Sequence, residues 1–556
     1  MTKIQDLAWW QKTIAYEIYP KSFYDTAAQG TGTIAGITDR LDYLASLGIS
    51  AIWITPCYKS PMVDNGYDVQ DYRSIDPSFG SMDDMDELVA QGNEKGIRVV
   101  MDLVFNHTSE ECAWFVESRK SRDNAYADWY IWRDARPDGS APTNWRSIFG
   151  GSAWAWCEER QQYYLHTFAP QQPDLNWENP DVRKALIDIA NYWTDKGVGG
   201  FRIDAITYIK KPAEFADGPA DGEDGMYSVH AATANTLGIL DFLHEFKAAV
   251  RDGRDIFLVG EANGVAADEL GEWVGEQGVF DMLFEFSHTH IPMGAAEVWC
   301  RPAEWVLTDL KRVLTESQAN TADNGWYPIF FENHDQPRST VNFFRCAGSV
   351  ADKAKALGTV LLTLRGTPFV MQGEELGYAN RVWKSIDEFD DLQTRSQYEF
   401  ALEEGFTADE ALVACNRFSR DNARTPMQWN AGKNAGFSSA DATWLPVHDD
   451  FETVNVEAES ADPASVLSWY RKLAALRGGH EELITGSYEE LLAESEQVYA
   501  FRRKGEDATA LVLANLSDEK ASYDASLLDG MKLLAGTHGE TAEGALRPFE
   551  AVVFES

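Results

Sequence analysis

The chain has 556 residues, of which 44 % are hydrophobic and 25 % charged, and its 48 basic and 89 acidic side chains give a formal net charge of −41. That length exceeds one compact core, so two or three domains are expected. A surface this acidic repels phosphate backbones and anionic lipid, which argues against nucleic-acid and membrane partners.

Strand-like apolar runs come in the order Ile14–Tyr19, Ser50–Thr55, Ile97–Phe105, Val198–Asp204, Ile256–Glu261, Val279–Phe286, Pro328–Glu332 and Pro368–Gln372. The segments between them read as helices. Leu41–Leu47 and Val182–Trp193 keep apolar residues at three- and four-residue spacing, and Gly48, Gly96 and Gly197 stand where a helix must stop before the next strand. Eight strand–helix units with continuous apolar strands predict an α/β protein, a closed (β/α)8 TIM barrel. An open doubly wound sheet fits less well, because no Gly-x-Gly-x-x-Gly follows the first strand.

Two spacings are too long for a simple strand–helix unit. Residues 106–173, rich in Trp, Arg, Asp and Gly, predict a small domain inserted after strand three. Gly377 to about Asp462 is a second long excursion, on the rim where such barrels place specificity. Between them, Gly218–Gly225 is acidic and glycine-rich and reads as a mobile rim loop. From residue 482 short alternating runs predict a C-terminal antiparallel β domain, a β-sandwich. The expected domains are therefore a barrel from 1–105 and 174–481, an insert at 106–173, and a terminal β domain at 482–556.

The six cysteines are scattered without a Cys-x-x-Cys pair, the pattern of reduced thiols in a cytoplasmic protein. Met1–Gln11 lacks a basic-then-apolar export signal, and no apolar run approaches the ~18 residues of a membrane span.

Three strand ends carry a carboxylate: Asp204, Glu261 and the acid of Asn333-His334-Asp335. Any one alone reads as a salt bridge or a helix cap. On successive strands of a barrel they share one rim, where paired acids can cleave an acetal, one ionised and one protonated. Arg202, two residues before Asp204, shares its strand face and can hold it ionised, which suits a nucleophile. Glu261 closes an apolar run, a setting that favours the protonated acid.

These segments resemble glycoside hydrolase family 13, the α-amylase superfamily, over nearly the whole chain. The matching motifs are Asp102-Leu-Val-Phe-Asn-His107, Gly200–Asp204, Gly260-Glu261, Asn333–Asp335 and Gln172-Pro-Asp-Leu-Asn-Trp177. Asp64-Asn-Gly-Tyr-Asp68 and Ser419–Trp429 are similar to the oligo-1,6-glucosidase and α-glucosidase branch. The resemblance implies a retaining exo-acting α-glucosidase for short α-glucosides, with Asp204 as nucleophile, Glu261 as acid/base and Asp335 stabilising the transition state. It implies that Asp64 and Arg420 close a pocket behind the terminal glucose, Arg420 being favoured over Arg424 for sugar contact. Tyr67 would stack beneath that ring, His107, Gln172 and His334 would hydrogen-bond it, and Phe168 would line the wall.

Ala205 and Asn263 depart from many relatives and are expected near the departing sugar. A transglucosylase or sucrose isomerase using the same glucosyl-enzyme is the alternative; no Arg-Leu-Asp-Arg-Asp-like isomerase loop follows Asp335, where the chain reads Gln336-Pro-Arg-Ser. Branch members often bind calcium in an early acidic loop, but here it reads Asp25-Thr-Ala-Ala-Gln-Gly-Thr-Gly-Thr33. One carboxylate cannot supply a calcium cage, so no metal and no cofactor is expected. The expected partner is a small oligosaccharide, and the expected state a monomer or small homo-oligomer.

Overall fold

The computed structural model describes residues 4–222, 224–262, 264–265, 269–275, 277–294, 298–322, 325–539 and 544–556. Eight barrel strands follow in chain order: β1 (Ala15–Ile18), β2 (Ala51–Ile54), β3 (Arg98–Val104), β4 (Gly200–Asp204), β5 (Phe257–Glu261), β6 (Met282–Phe284), β7 (Pro328–Ile329) and β8 (Thr367–Met371). Each lies within or beside its expected run. They alternate with helices, as the (β/α)8 barrel class requires.

The chain divides into two compact units, one of Met1–Ile52, Glu94–Ile97 and Phe286–Ser556, the other of Trp53–Asn93 and Arg98–Glu285. In the second unit β3, β4, β5 and β6 pair in parallel, with Gly200 opposite both Val100 and Phe257 and Val259 opposite Met282. Gly200 is needed for that register: a Cβ there would lie 2.3 Å from the Phe257 carbonyl oxygen. The helix Pro180–Asp195 precedes β4. Asn179 caps it by accepting from the Asp181 N–H, and Pro180 occupies its first turn. Its apolar stripe of Val182, Leu186, Ile189, Ala190 and Trp193 is buried. Gly197, at φ 95°, then turns the chain into the strand.

The same unit contains an antiparallel three-stranded sheet of Trp132–Arg133, Gln162–Leu165 and Trp154–Cys157. Trp145, Trp154, Leu165 and Val229 share one core beside it. In the acidic segment expected as a mobile rim loop, residues 219–222, 224 and 225 are exposed. Arg146 binds both Asp221 and Asp224, and Tyr227–Ser228 pairs with Trp145–Arg146.

In the first unit β8 pairs with both β1 and β7. The C-terminal residues form a five-stranded antiparallel sheet, with Val498–Lys504, Thr509–Asn515 and Ala551–Glu555 at its centre. Ala521, Tyr523 and Leu546 pack over its inner face. Three buried cations reach across this region to carbonyl oxygens. Arg503 donates to Thr363, Leu483, Ile484 and Gly486. Arg477 donates to Leu362, Leu364, Leu483 and Gly366. Lys311 donates to Leu492, Ala493, Ser495 and Val498. No described helix is long and apolar enough to cross a membrane.

Candidate active site

β4 carries alternating residues to opposite faces, so Arg202 and Asp204 point the same way. The Arg202 guanidinium is 1 % exposed and gathers three acids. Nη1 lies 3.0 Å from both Asp102 oxygens and 2.7 Å from Asp204 Oδ1, and Nη2 lies 2.5 Å from Glu261 Oε2. One guanidinium thus joins the end of β4 to the end of β5. Burial pushes Asp204 up to about 6, opposed by Arg202; Asp102 pushes the same way as burial, and a hydrogen bond with Glu261 lowers the value. Asp204 is therefore anionic at neutral pH, although its burial counts against Arg202 more than strand position alone suggested.

Ala205 follows at φ 47°, ψ 36°, a left-handed conformation that costs an L-residue about 1 kcal/mol or more. The turn aims its N–H at Glu261 Oε2, 3.1 Å away. Two donors therefore fix one oxygen of the acid. Asn263 lies outside the described residues.

Around these groups runs a buried polar network. Tyr67 donates its hydroxyl to Asp102 at 3.0 Å. Gln172 Nε2 reaches Asp64 Oδ2 at 3.1 Å and His107 Nε2 at 3.1 Å. His107 Nε2 also lies 3.0 Å from the Tyr67 carbonyl, and burial lowers its pKa, keeping the ring neutral. Phe168, half-buried, packs on His107 with ring centres 5.2 Å apart. The structure thus brings Asp64, Tyr67, His107, Phe168, Gln172, Arg202, Asp204, Ala205 and Glu261 together within one unit.

The other unit holds His334, Asp335 and Arg420. Asp335 Oδ1 lies 3.1 Å from Arg420 Nη1 and 2.9 Å from Arg424 Nη2, and Oδ2 lies 3.2 Å from His334 Nε2. Burial alone would raise this carboxyl, but His334, Arg420 and Arg424 together hold it well below the usual carboxylate range. The opposite ring nitrogen of His334 is 2.6 Å from Glu17 Oε1. Burial works against the charged ring, yet Asp335 and Glu17 raise it to about 9. Arg420 is also bound by Asp391 through Nε at 2.8 Å, and Arg424 Nε donates to the His334 carbonyl at 2.9 Å. Both arginines touch Asp335.

In the Asp25 loop the carboxylate is occupied by donors. It accepts from the N–H groups of Ala27, Gln29 and Gly30 at 2.8, 2.9 and 2.7 Å and from the Ser438 hydroxyl at 2.5 Å. Thr33 faces Thr26 with a 2.8 Å hydrogen bond.

A family profile described as "Alpha amylase, catalytic domain" matches residues 17–486. The chain belongs to the alpha-amylase family. Within that family it is 42 % identical to an oligo-1,6-glucosidase of Heyndrickxia coagulans, over 98 % of this chain and 99 % of that one. A trehalose-6-phosphate hydrolase structure from Bacillus licheniformis superposes with a TM-score of 0.92 at 36 % identity, covering 99 % and 100 % of the two chains. An isomaltulose synthase structure from Protaminobacter rubrum gives 0.93 at 36 % identity, covering 99 % of each. This alpha-amylase family member therefore shares its fold with relatives named for hydrolysis and for sucrose-isomer synthesis alike.

Three partners of the predicted residues carry pairings that the sequence does not show, although Asp102 opens one of the matching motifs. Asp102 and Glu17 each interrupt a run of buried apolar strand residues, and a lone carboxylate in such a run is a readable signal of a buried cation nearby. Asp391 caps the helix Leu392–Glu403, accepting from Gln393 and Thr394. Its cap position was legible, its grip on Arg420 was not.

Proposed function

We propose that this protein is a retaining α-glucosidase that releases glucose from the non-reducing end of short α-glucosides such as isomalto- and malto-oligosaccharides. The observation that carries the reading is Arg202, whose guanidinium binds the Asp204 and Glu261 carboxylates at once. A shared cation holds two acids at neighbouring strand ends, and double displacement at one carbon requires two acids held close together. Relatives named oligo-1,6-glucosidase support the same class.

Asp204, ionised above about pH 6, attacks the anomeric carbon as the glycosidic bond breaks. Glu261 gives its proton to the departing oxygen, then takes one from the water that releases glucose. Asp335 and His334 hold sugar hydroxyls and favour the flattened, positively charged ring of the transition state. Asp64, Tyr67, His107, Phe168, Gln172 and Arg420 hold the terminal glucose, while Ala205 and Asn263 lie toward the departing sugar. Catalysis runs without metal or cofactor. The domains are a barrel of 1–105 and 174–481, an insert of 106–173 and a β domain of 482–556. Six free cysteines support a reducing, cytoplasmic setting, and the acidic surface supports a protein without nucleic-acid partners, acting as a monomer or small homo-oligomer.

Glucose release from a panel of isomaltose, maltose, nigerose, kojibiose, sucrose, trehalose and panose tests the reading. One strongly preferred disaccharide with free glucose as product supports it. Conversion of sucrose to an isomer, or transfer products that persist at low sugar concentration, would replace hydrolysis with transglucosylation or isomerisation.

A further inference from the structure

His480 stands between two helices, Val466–Gly479 and Glu481–Thr485, and meets the last strand of the chain, Ala551–Glu555. Its Nδ1 lies 2.8 Å from Glu555 Oε1 and 3.3 Å from Glu482 Oε1. One ligand atom from each of the three residues falls within 4.8 Å of the other two.

Glu482 is the misfit of the group. Its side chain is 5 % exposed, yet Oε1 makes no hydrogen bond. An imidazole Nδ1 carries at most one proton, and the shorter contact gives it to Glu555. Arg477 and Arg503 pass beside this turn, but they donate to the Leu483, Ile484 and Gly486 carbonyls. Burial pushes the Glu482 carboxyl up, and Glu555 adds to that push against His480. A buried carboxylate oxygen without a donor is destabilising, and a cation beside it removes the cost.

The cluster is reachable from water, since His480 and Glu555 keep 23 % and 29 % of their side chains exposed. One imidazole nitrogen and two carboxylates suit a small divalent transition ion. Around tetrahedral zinc, ligand atoms at about 2.0–2.2 Å from the metal stand about 3.3 Å from one another, close to the spacing here. Calcium prefers an all-oxygen shell of about six to eight ligands, which this group does not offer.

We propose that His480 Nδ1, Glu482 and Glu555 form a zinc-class metal site, with water as the fourth ligand, that clips the end of the helix Val466–Gly479 to the final strand. The imidazole carries its proton on Nε2 when Nδ1 binds the ion, and the ion supplies the partner that Glu482 Oε1 lacks. The clip joins residues 75 apart in sequence, and cross-links that close long loops restrict the unfolded chain most. The ion is structural and takes no part in glycoside cleavage. Held by three ligands and open to water, it binds reversibly: the metal-free chain stays folded and gains stability when zinc is supplied.

The test titrates zinc chloride into the full-length protein, first dialysed against EDTA and then into chelator-free buffer, by isothermal calorimetry. His480→Gln and Glu555→Gln are run alongside, and thermal midpoints are recorded with and without metal. The wild type is expected to bind one ion per chain and to gain about 2 °C or more in midpoint at saturating zinc. Each variant is expected to bind at least about tenfold more weakly, the loss that even an outer-shell change produces. Calcium is expected to give neither heat nor shift. Crystals soaked in zinc keep the test independent of how the variants fold: an anomalous peak bonded to His480 Nδ1 supports the site. A peak placed elsewhere, no zinc binding by the wild type, or binding unchanged in both variants overturns it.

Discussion

His334 Nδ1 and Glu17 Oε1 stand 2.6 Å apart, both side chains fully shielded from solvent. The pair joins the end of β1 to the segment after β7, and it settles the charge of a ring whose other nitrogen touches Asp335. Burial opposes that charge, but the two carboxylates raise His334 to about 9, against an unfolded value of about 6.5. A raised folded pKa stabilises the folded state fully below the unfolded value, and that share is lost as pH climbs through about 9. Replacing Glu17 with Gln is expected to move the alkaline fall in thermal midpoint toward neutral pH. Melting curves from pH 6 to 10 check this, and superimposable profiles would contradict it.

Asp204 makes the acid limb. Burial pushes it up to about 6 despite Arg202, so kcat/KM is expected to fall about tenfold per unit below that pH. Asp204→Asn should lower kcat by about 10³-fold or more. Residual turnover above a few per cent, in protein free of contaminating enzyme, would remove Asp204 from the role of nucleophile.

Ala205 offers a conformational test. At φ 47° glycine there is expected to match or exceed the wild type in denaturant midpoint, because it adopts the left-handed region freely. A β-branched valine should cost about 1–2 kcal/mol. Urea melts of Ala205→Gly and Ala205→Val check the order, and a valine variant as stable as the glycine one would show that the turn relaxes.

Asp25 predicts indifference to chelators. Its oxygens already accept from three backbone N–H groups and Ser438, so EDTA should leave the thermal midpoint unchanged and added calcium should not raise it. Asp25→Ala, by contrast, is expected to cost about 2–3 kcal/mol. A calcium-dependent rise in midpoint that disappears in Asp25→Ala would mean that a cation competes with these donors.

The barrel strands were legible because apolar runs punctuated by glycine are a local pattern, and β3 to β5 start or end within two residues of the expectation. The acids at strand ends were legible for the same reason. What escaped was pairing between distant residues. Asp102 and Glu17 look like blemishes in apolar strands until Arg202 and His334 stand beside them. In loop 218–225 composition records the charges but not Arg146, the counter-charge that meets Asp221 and Asp224. The motif Ser419–Trp429 marked both arginines, but no spacing rule divides labour between Arg420 and Arg424 when each reaches Asp335.

The carbonyl ligands of Lys311, Arg477 and Arg503 make the C-terminal strands hard to dispense with. Arg503 sits on one of those strands and grips the helix Val350–Thr363 at its last residue, while Lys311 reaches the other way from its own helix into the turn before Val498. A chain truncated after residue 485 would not yield a smaller working enzyme. It would strand Lys311 without its oxygens and leave the Thr363 carbonyl bare, a defect expected to surface as aggregation or proteolytic nicking rather than as a clean loss of one module.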